Sequence, residues 1–92
     1  MADQSVERSV VVANRMGLHA RPASLLVEAA NALESHIRLR KDTQIVDGKS
    51  IMDILTLAAE QGTPLVVEAS GPDAEQAVEA LVELLNQDLG EA

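Results

Sequence analysis

The most restrictive part of the sequence is residues 14–24, where a glycine, a histidine, an arginine and a proline stand directly before a helical pattern. Gly17 permits a positive φ, so the chain can turn sharply just before His19. Pro22 fits the first turn of a helix, because the backbone N–H that it lacks would have no intrahelical partner there. Apolar residues then follow at positions 23, 26, 27, 30 and 33. This spacing predicts a helix over residues 20–33 with His19 at or near its N-cap.

A histidine at a helix N-terminus beside an arginine indicates a phosphoryl acceptor. The first turn, beginning at Ala20, offers unpaired backbone N–H groups and the positive end of the helix dipole, which both favour an anion. Arg21 adds a planar guanidinium whose donors match phosphate oxygens. The imidazole of His19 is a nucleophile in its neutral form. We therefore expect a phosphohistidine at His19, with Arg21 as catalytic partner and Gly17 and Ala20 as phosphate-binding positions.

The composition excludes several classes of protein. Cysteine is absent, which excludes disulfides and thiolate metal sites and fits a reducing cytoplasm. No apolar run approaches the ~18 residues of a membrane span, and the first five residues do not resemble a signal peptide. Phe, Trp and Tyr are also absent, so the core must be aliphatic and the stacking platforms of single-stranded nucleic acid binders are missing. We expect a cytoplasmic protein with no metal, no cofactor, no nucleic acid partner and no membrane insertion.

The chain of 92 residues predicts one domain over residues 1–92. Its net charge is −8, and the two halves differ. Residues 1–49 carry seven basic against six acidic side chains, whereas residues 50–92 carry nine acidic side chains and neither Lys nor Arg. This distribution is not that of a protein that binds nucleic acid backbones.

The remaining pattern predicts four strands and two further helices. The strands are expected at residues 5–13, 36–40, 44–46 and 65–69, from their β-branched content and alternation. Ser50 is a natural N-cap for a second helix that ends at Gly62, and Gly48 should supply an unusual dihedral in the turn before it. A third helix is expected to about residue 88. The order β-α-β-β-α-β-α predicts an α+β two-layer sandwich, although other small modules, such as ferredoxin-like domains, share that order.

Two motifs resemble one known family. The string Gly-Leu-His-Ala-Arg-Pro-Ala at residues 17–23 is similar to the phosphorylation motif of the histidine-containing phosphocarrier proteins (HPr) of the phosphoenolpyruvate-dependent phosphotransferase system. Lys-Ser-Ile-Met at residues 49–52 resembles the regulatory serine segment of that family at the expected distance downstream. The resemblance extends from about residue 6 to residue 85. It implies an open-faced sandwich in which three helices cover one face of a four-stranded antiparallel sheet in the order 1-4-2-3.

The resemblance also implies a function and partners. His19 would accept a phosphoryl group from Enzyme I at Nδ1 and pass it to an Enzyme IIA domain, while Arg21 orients that group. The protein would be a monomeric co-substrate rather than an enzyme. Ser50 would be the serine of regulatory phosphorylation by an HPr kinase/phosphorylase. Three apolar residues of the second helix would form an exposed patch for partners: Ile51, Met52 and Leu55.

Two other functions remain open on the sequence. A regulatory paralogue of the nitrogen-branch or carbon-control type would keep His19 and Arg21 but signal through its phosphorylation state rather than serve sugar uptake. A binding module would only hold an anionic ligand at the helix N-terminus. That module predicts that a phosphoryl donor leaves His19 unmodified.

Overall fold

The structure is a computed structural model that describes residues 4–88. Its elements follow the order that the sequence predicts. They are β1 (Gln4–Val11), α1 (Ala20–Asn31), β2 (His36–Lys41), β3 (Gln44–Asp47), α2 (Ile51–Thr56), β4 (Pro64–Gly71) and α3 (Ala74–Leu85). α1 ends two residues before its predicted end, because the apolar periodicity continues to Leu33 beyond the last helical residue, and α3 ends three residues before its predicted end.

The four strands form one antiparallel sheet in the order β1-β4-β2-β3. β4 is central: Leu65 lies opposite Val10 of β1, and Val67 lies opposite Leu39 of β2. β2 and β3 are joined by a two-residue turn in which Asp42 adopts a positive φ of 54°. The strand order that the family resemblance implied is confirmed.

The three helices cover one face of this sheet and leave the other face open. Along β4, buried residues alternate with half-buried ones, and along the first four residues of β2 buried residues alternate with exposed ones. α3 packs against β1 and β4, and α1 packs against α2 and α3. The interior is aliphatic, and its largest fully buried side chains are Leu26, Ile37, Leu39, Ile54, Leu57, Leu65 and Leu81. The two-layer α+β sandwich is therefore confirmed.

The second helix is shorter than the sequence predicts. Its start agrees with the prediction, since Ser50 is the N-cap and its Oγ accepts a hydrogen bond from the Asp53 N–H at 3.3 Å. It ends at Thr56, however, and not at Gly62. Ala58 follows in the left-handed region at φ 48°, so it takes the helix-terminating conformation that a glycine usually adopts.

The prediction for Gly48 is also wrong in its physical reason. Gly48 is not among the positive-φ residues. Its N–H donates to the Ile37 carbonyl at 2.8 Å, and a Cβ at this position would lie 2.7 Å from Cγ2 of Ile37. Glycine is needed there because the turn passes directly against β2.

Two lysines cap helices to which they do not belong. Neither α1 nor α2 has a basic residue in its own last turn, where the unpaired carbonyls carry partial negative charge. Nζ of Lys49 donates to the Leu33 carbonyl at 2.7 Å, just beyond the end of α1. Nζ of Lys41 donates to the Leu57 carbonyl at 2.9 Å, at the end of α2. The ammonium groups thus join each helix end to a neighbouring element.

The start of α3 is fixed by a buried serine. Ser35 is fully buried, and its Oγ donates to the Asp73 carboxylate at 2.5 Å. The backbone N–H groups of Glu34 and Ser35 donate to the same carboxylate at 3.0 and 2.9 Å. The Ser35 hydroxyl and then the Glu34 N–H stabilise the ionised form, which holds the pKa of Asp73 below the ordinary aspartate value of 3.8. This contact joins α3 to the segment that leads into β2.

The lowered pKa of Asp73 predicts a loss of stability in acid. A carboxylate whose pKa is depressed on folding stabilises the fold above its unfolded-state pKa and loses that contribution as the pH falls through the folded-state pKa. The free-energy difference between the wild type and Asp73→Asn should therefore shrink as the pH falls below 3.8. Urea unfolding at a series of pH values from neutral to acid measures it, and a difference that is constant with pH would contradict the prediction.

The left-handed Ala58 predicts a stabilising substitution. Glycine reaches φ 48° without the steric cost that alanine bears, so Ala58→Gly should raise the free energy of unfolding by about 0.5–1 kcal/mol. The matched control is Ala59→Gly, since Ala59 is buried and has no positive φ, and this change should lower the free energy of unfolding. If the urea midpoint falls for both variants, the left-handed conformation of Ala58 does not carry the expected steric cost.

Candidate functional site

His19 lies at the N-cap of α1 and is exposed. Its backbone is extended, with φ −86° and ψ −168°, and its carbonyl accepts the first helical hydrogen bond from the Ala23 N–H at 3.0 Å. The imidazole makes no capping hydrogen bond to the helix. The predicted position of His19 is therefore confirmed, with the ring at the surface, where another protein can reach it.

The donors around this position come from the first turn of α1. The backbone N–H groups of Ala20 and Arg21 precede the first helical hydrogen bond, and Pro22 has no N–H. Arg21 is exposed, and its guanidinium makes no ion pair with any residue between positions 4 and 88. The first turn therefore supplies two backbone N–H groups and one exposed guanidinium in the two residues that follow His19.

Gly17 shapes the loop rather than offering a donor to phosphate. Its φ is 73°, as the sequence predicts, but it is buried and its N–H donates to the Asn14 carbonyl at 2.9 Å. This N–H is therefore engaged within the loop, and a phosphate-binding role of Gly17 stays a prediction. Asn14 is only 2% exposed, and its Nδ2 donates to the Gly17 carbonyl at 2.9 Å. Asn14 was not singled out from the sequence, although an asparagine three residues before a glycine is typical of such turns.

The loop before His19 rests on the chain segment before β4. The Val12 N–H donates to the Thr63 carbonyl at 3.0 Å, and the Gly62 N–H donates to the Val12 carbonyl at 2.8 Å. Farther along, the Leu18 N–H donates to the Ala59 carbonyl at 2.8 Å. These bonds continue the pairing of β1 with β4 past its last strand residues. The site is therefore held by backbone groups that are about forty residues away in sequence.

Ser50 and His19 lie at opposite ends of the α1–α2 pair. Lys49, the residue before Ser50, is bonded to Leu33 beyond the C-terminal end of α1, whereas Ala59, beyond the end of α2, is bonded to Leu18. The two helices are therefore antiparallel. Because α1 rises through about 18 Å, a charge on Ser50 would lie far along the surface from the imidazole.

The expected apolar patch on α2 is smaller than predicted. Met52 is 69% exposed, but Ile51 and Leu55 are half-buried and pack against the core. A second exposed methionine lies close to the histidine in sequence: Met16, three residues before His19, is 70% exposed. It was not singled out from the sequence, because a single apolar residue in a loop has no periodicity to mark it.

Two depressions in the surface lie away from the histidine. One, of about 390 Å³, lies along β2 and β3 and is lined by residues that include His36, Arg38 and Lys49. The other, of about 420 Å³, lies beside the segment before β4. Within residues 4–88, no group of three His, Asp or Glu side chains could hold a metal ion. No helix in that range is long and apolar enough to cross a bilayer.

Comparison with known proteins agrees with this geometry. The family described as "PTS HPr component phosphorylation site" matches residues 6–87. The phosphocarrier protein HPr of Treponema pallidum is 44% identical over 79 residues, which cover 86% of this chain and 90% of that protein. The HPr-like protein Crh of Halalkalibacterium halodurans is 39% identical over 83 residues, covering 90% and 99%. A crystal structure of HPr from Thermoanaerobacter tengcongensis superposes with a TM-score of 0.88 at 41% identity, covering 95% and 98%.

The fold and the matched sequence together define a small phosphocarrier domain of the phosphotransferase system. The chain belongs to the HPr family. The match covers both segments that the sequence analysis singled out, at residues 17–23 and 49–52.

The close approach of Gly17 to the segment before β4 predicts a severe effect of one methyl group. In Gly17→Ala the new Cβ would lie 2.5 Å from the Ala59 carbonyl oxygen, in addition to the strain of a positive φ. Gly62→Ala is the matched control, since φ is 88° and no atom lies within 4 Å of the new Cβ. Gly17→Ala should lower the free energy of unfolding by at least ~1 kcal/mol more than Gly62→Ala does. Urea unfolding measures both values, and an equal loss of unfolding free energy in the two variants would contradict a close contact between residue 17 and the Ala59 carbonyl.

Proposed function

We propose that this chain carries phosphoryl groups in a phosphoenolpyruvate-dependent sugar phosphotransferase system. His19 accepts the group from Enzyme I and passes it to an Enzyme IIA domain. The observation that carries this proposal is the exposed imidazole at the N-cap of α1, followed directly by the backbone N–H groups of the first turn and by the exposed Arg21, which makes no ion pair within residues 4–88. Membership of the HPr family supports the same chemistry.

The transfer replaces one bond to phosphorus by another. The imidazole nitrogen, Nδ1 in the resembling family, attacks the phosphorus as its bond to Enzyme I breaks, and the reverse exchange delivers the group to Enzyme IIA. A helix N-terminus contributes about 0.3–1 kcal/mol to an anion. A hydrogen bond to a charged group contributes about 1.5–3 kcal/mol. These moderate energies hold the phosphoryl group without preventing its release.

Such a carrier is a co-substrate of its partner enzymes rather than a catalyst, and it works as a monomer in the cytoplasm. Its donor and acceptor must both reach the ring of His19. The exposed Met16 and Met52 are suited to such contacts, because flexible thioether side chains adapt to more than one partner. Two successive partners then use one overlapping surface.

The second candidate is a regulatory role through Ser50, alone or beside the carrier role. Ser50 is half-buried and its Oγ accepts the Asp53 N–H, so phosphorylation would replace that cap by a phosphate at the start of α2. The similarity to Crh of Bacillus subtilis, which is described as a catabolite repression HPr, favours this candidate. An HPr kinase/phosphorylase would be the additional partner.

We predict that incubation with Enzyme I, Mg²⁺ and phosphoenolpyruvate adds one acid-labile phosphoryl group. Intact mass spectrometry measures the gain, and addition of an Enzyme IIA domain should remove the group again. His19→Ala should abolish the gain. His36→Ala is the matched control, because His36 is the only other histidine and lies exposed on β2, and it should keep the gain.

The outcomes separate the candidates. No gain by the wild type with an active Enzyme I would exclude the carrier role and leave either the regulatory role of Ser50 or an anion-binding module. An acid-stable phosphoryl group that appears with ATP and a serine kinase, and that Ser50→Ala prevents, would establish the regulatory role.

A further inference from the structure

A lysine on β2 is connected to the phosphoryl site through one short segment. Lys41 is the last residue of β2 and is half-buried. Its Nζ donates to the carbonyl of Leu57, the C-cap residue of α2. Gln44, from the same hairpin, donates one residue earlier, to the Thr56 carbonyl at 3.2 Å and to the Thr56 hydroxyl at 3.3 Å. Lys41 therefore holds the point at which the chain leaves α2.

The three residues that follow Leu57 form the support of the active loop. Ala58 turns the chain through a left-handed conformation. Ala59 is then buried, and its carbonyl accepts the Leu18 N–H at 2.8 Å. Gly17 lies so close to this segment that a Cβ would come within 3.0 Å of the Glu60 Cα. The backbone of residues 58–60 thus fixes Gly17 and Leu18, and Leu18 is bonded covalently to His19.

Lys41 borders an open part of the surface. Lys41, Ala58 and Glu60 line the open depression of about 420 Å³. Loss of the ammonium would leave the Leu57 carbonyl to water and reduce the hydrogen bonds between the hairpin and the end of α2 to those of Gln44 with Thr56. The segment at residues 58–60 would then be less firmly placed, and the loop that rests on it would move with it.

We propose that Lys41 is a positioning residue for phosphoryl transfer, which acts on His19 through the Leu57 carbonyl and the segment at residues 58–60. This inference rests on the proposed carrier function. Lys41 touches neither the imidazole nor the phosphoryl group. Its effect is on the placement of the His19 ring and of the N–H groups of the first turn, so it changes the rate of the chemical step rather than the docking of Enzyme I.

The test compares two lysines that make the same kind of contact at opposite ends of α2. Lys41→Met keeps the aliphatic stem but loses the donor, and Lys49→Met does the same at the Leu33 carbonyl, far from His19. With Enzyme I and phosphoenolpyruvate, Lys41→Met should lower the maximal rate of phosphorylation about three- to tenfold, because small displacements of reacting groups are costly. The KM for the carrier should change by less than about twofold. Lys49→Met should keep the maximal rate.

Two further measurements separate positioning from general destabilisation. Lys41→Arg retains a donor and should restore most of the maximal rate. The amide signal of Leu18 and the ring signals of His19 in heteronuclear NMR spectra should shift in Lys41→Met and stay unchanged in Lys49→Met.

Three outcomes would contradict a positioning role of Lys41. A folded Lys41→Met with the wild-type maximal rate, an equal loss in Lys49→Met, or no recovery in Lys41→Arg would overturn the proposal. If the wild type accepts no phosphoryl group, the carrier function fails instead, and the NMR comparison still tests the placement. Unchanged Leu18 and His19 signals in Lys41→Met would then overturn the positioning role as well.

Discussion

The pairing of β1 with β4 is the interaction on which the rest of the structure depends. It places β4 at the centre of the sheet, because β2 pairs with the other edge of the same strand. Past the ends of both strands the pairing continues through the backbone of Val12, Gly62 and Thr63, and then through Leu18 and Ala59. The loop that carries His19 is therefore an extension of the central ladder. This gives an exposed side chain a well-defined position, which a carrier needs if two different partners are to reach the same atom.

The two ends of the α1–α2 pair carry different polar groups. At one end, the first turn of α1 presents N–H groups and Arg21 to an anion. At the other end, Lys49 satisfies the carbonyl of Leu33, and Ser50 begins α2. Because the helices are antiparallel, the two candidate phosphorylation sites share one surface without touching.

Much of the fold could be predicted from the sequence, and the failures have clear causes. The alternation of Ile37 and Leu39 with polar residues correctly predicted β2. The helical spacing of four apolar residues correctly predicted the buried face of α3: Ala74, Ala77, Val78 and Leu81. The predicted end of α2 was wrong because apolar residues continue to Ala59. Only the tertiary structure shows that Leu57 is already the C-cap. Ala58 accepts a left-handed φ there, although nothing in its side chain signals one. Gly48 was identified correctly as necessary, but for sterics against β2 rather than for its dihedral.

The sequence by itself determined the local chemistry: the turn at Gly17, the N-cap positions of His19 and Ser50, the aliphatic core and the guanidinium two residues after the histidine. Each of these follows from the conformational limits of one residue and its near neighbours. Only the tertiary structure decided which distant groups hold the loop before His19 and the ends of α1 and α2. The hydrogen bonds from Leu18 to Ala59, from Lys41 to Leu57 and from Lys49 to Leu33 join residues that are 16 or more positions apart. Backbone carbonyls accept these bonds, and because every residue has one, no side-chain pattern marks which of them the fold will use.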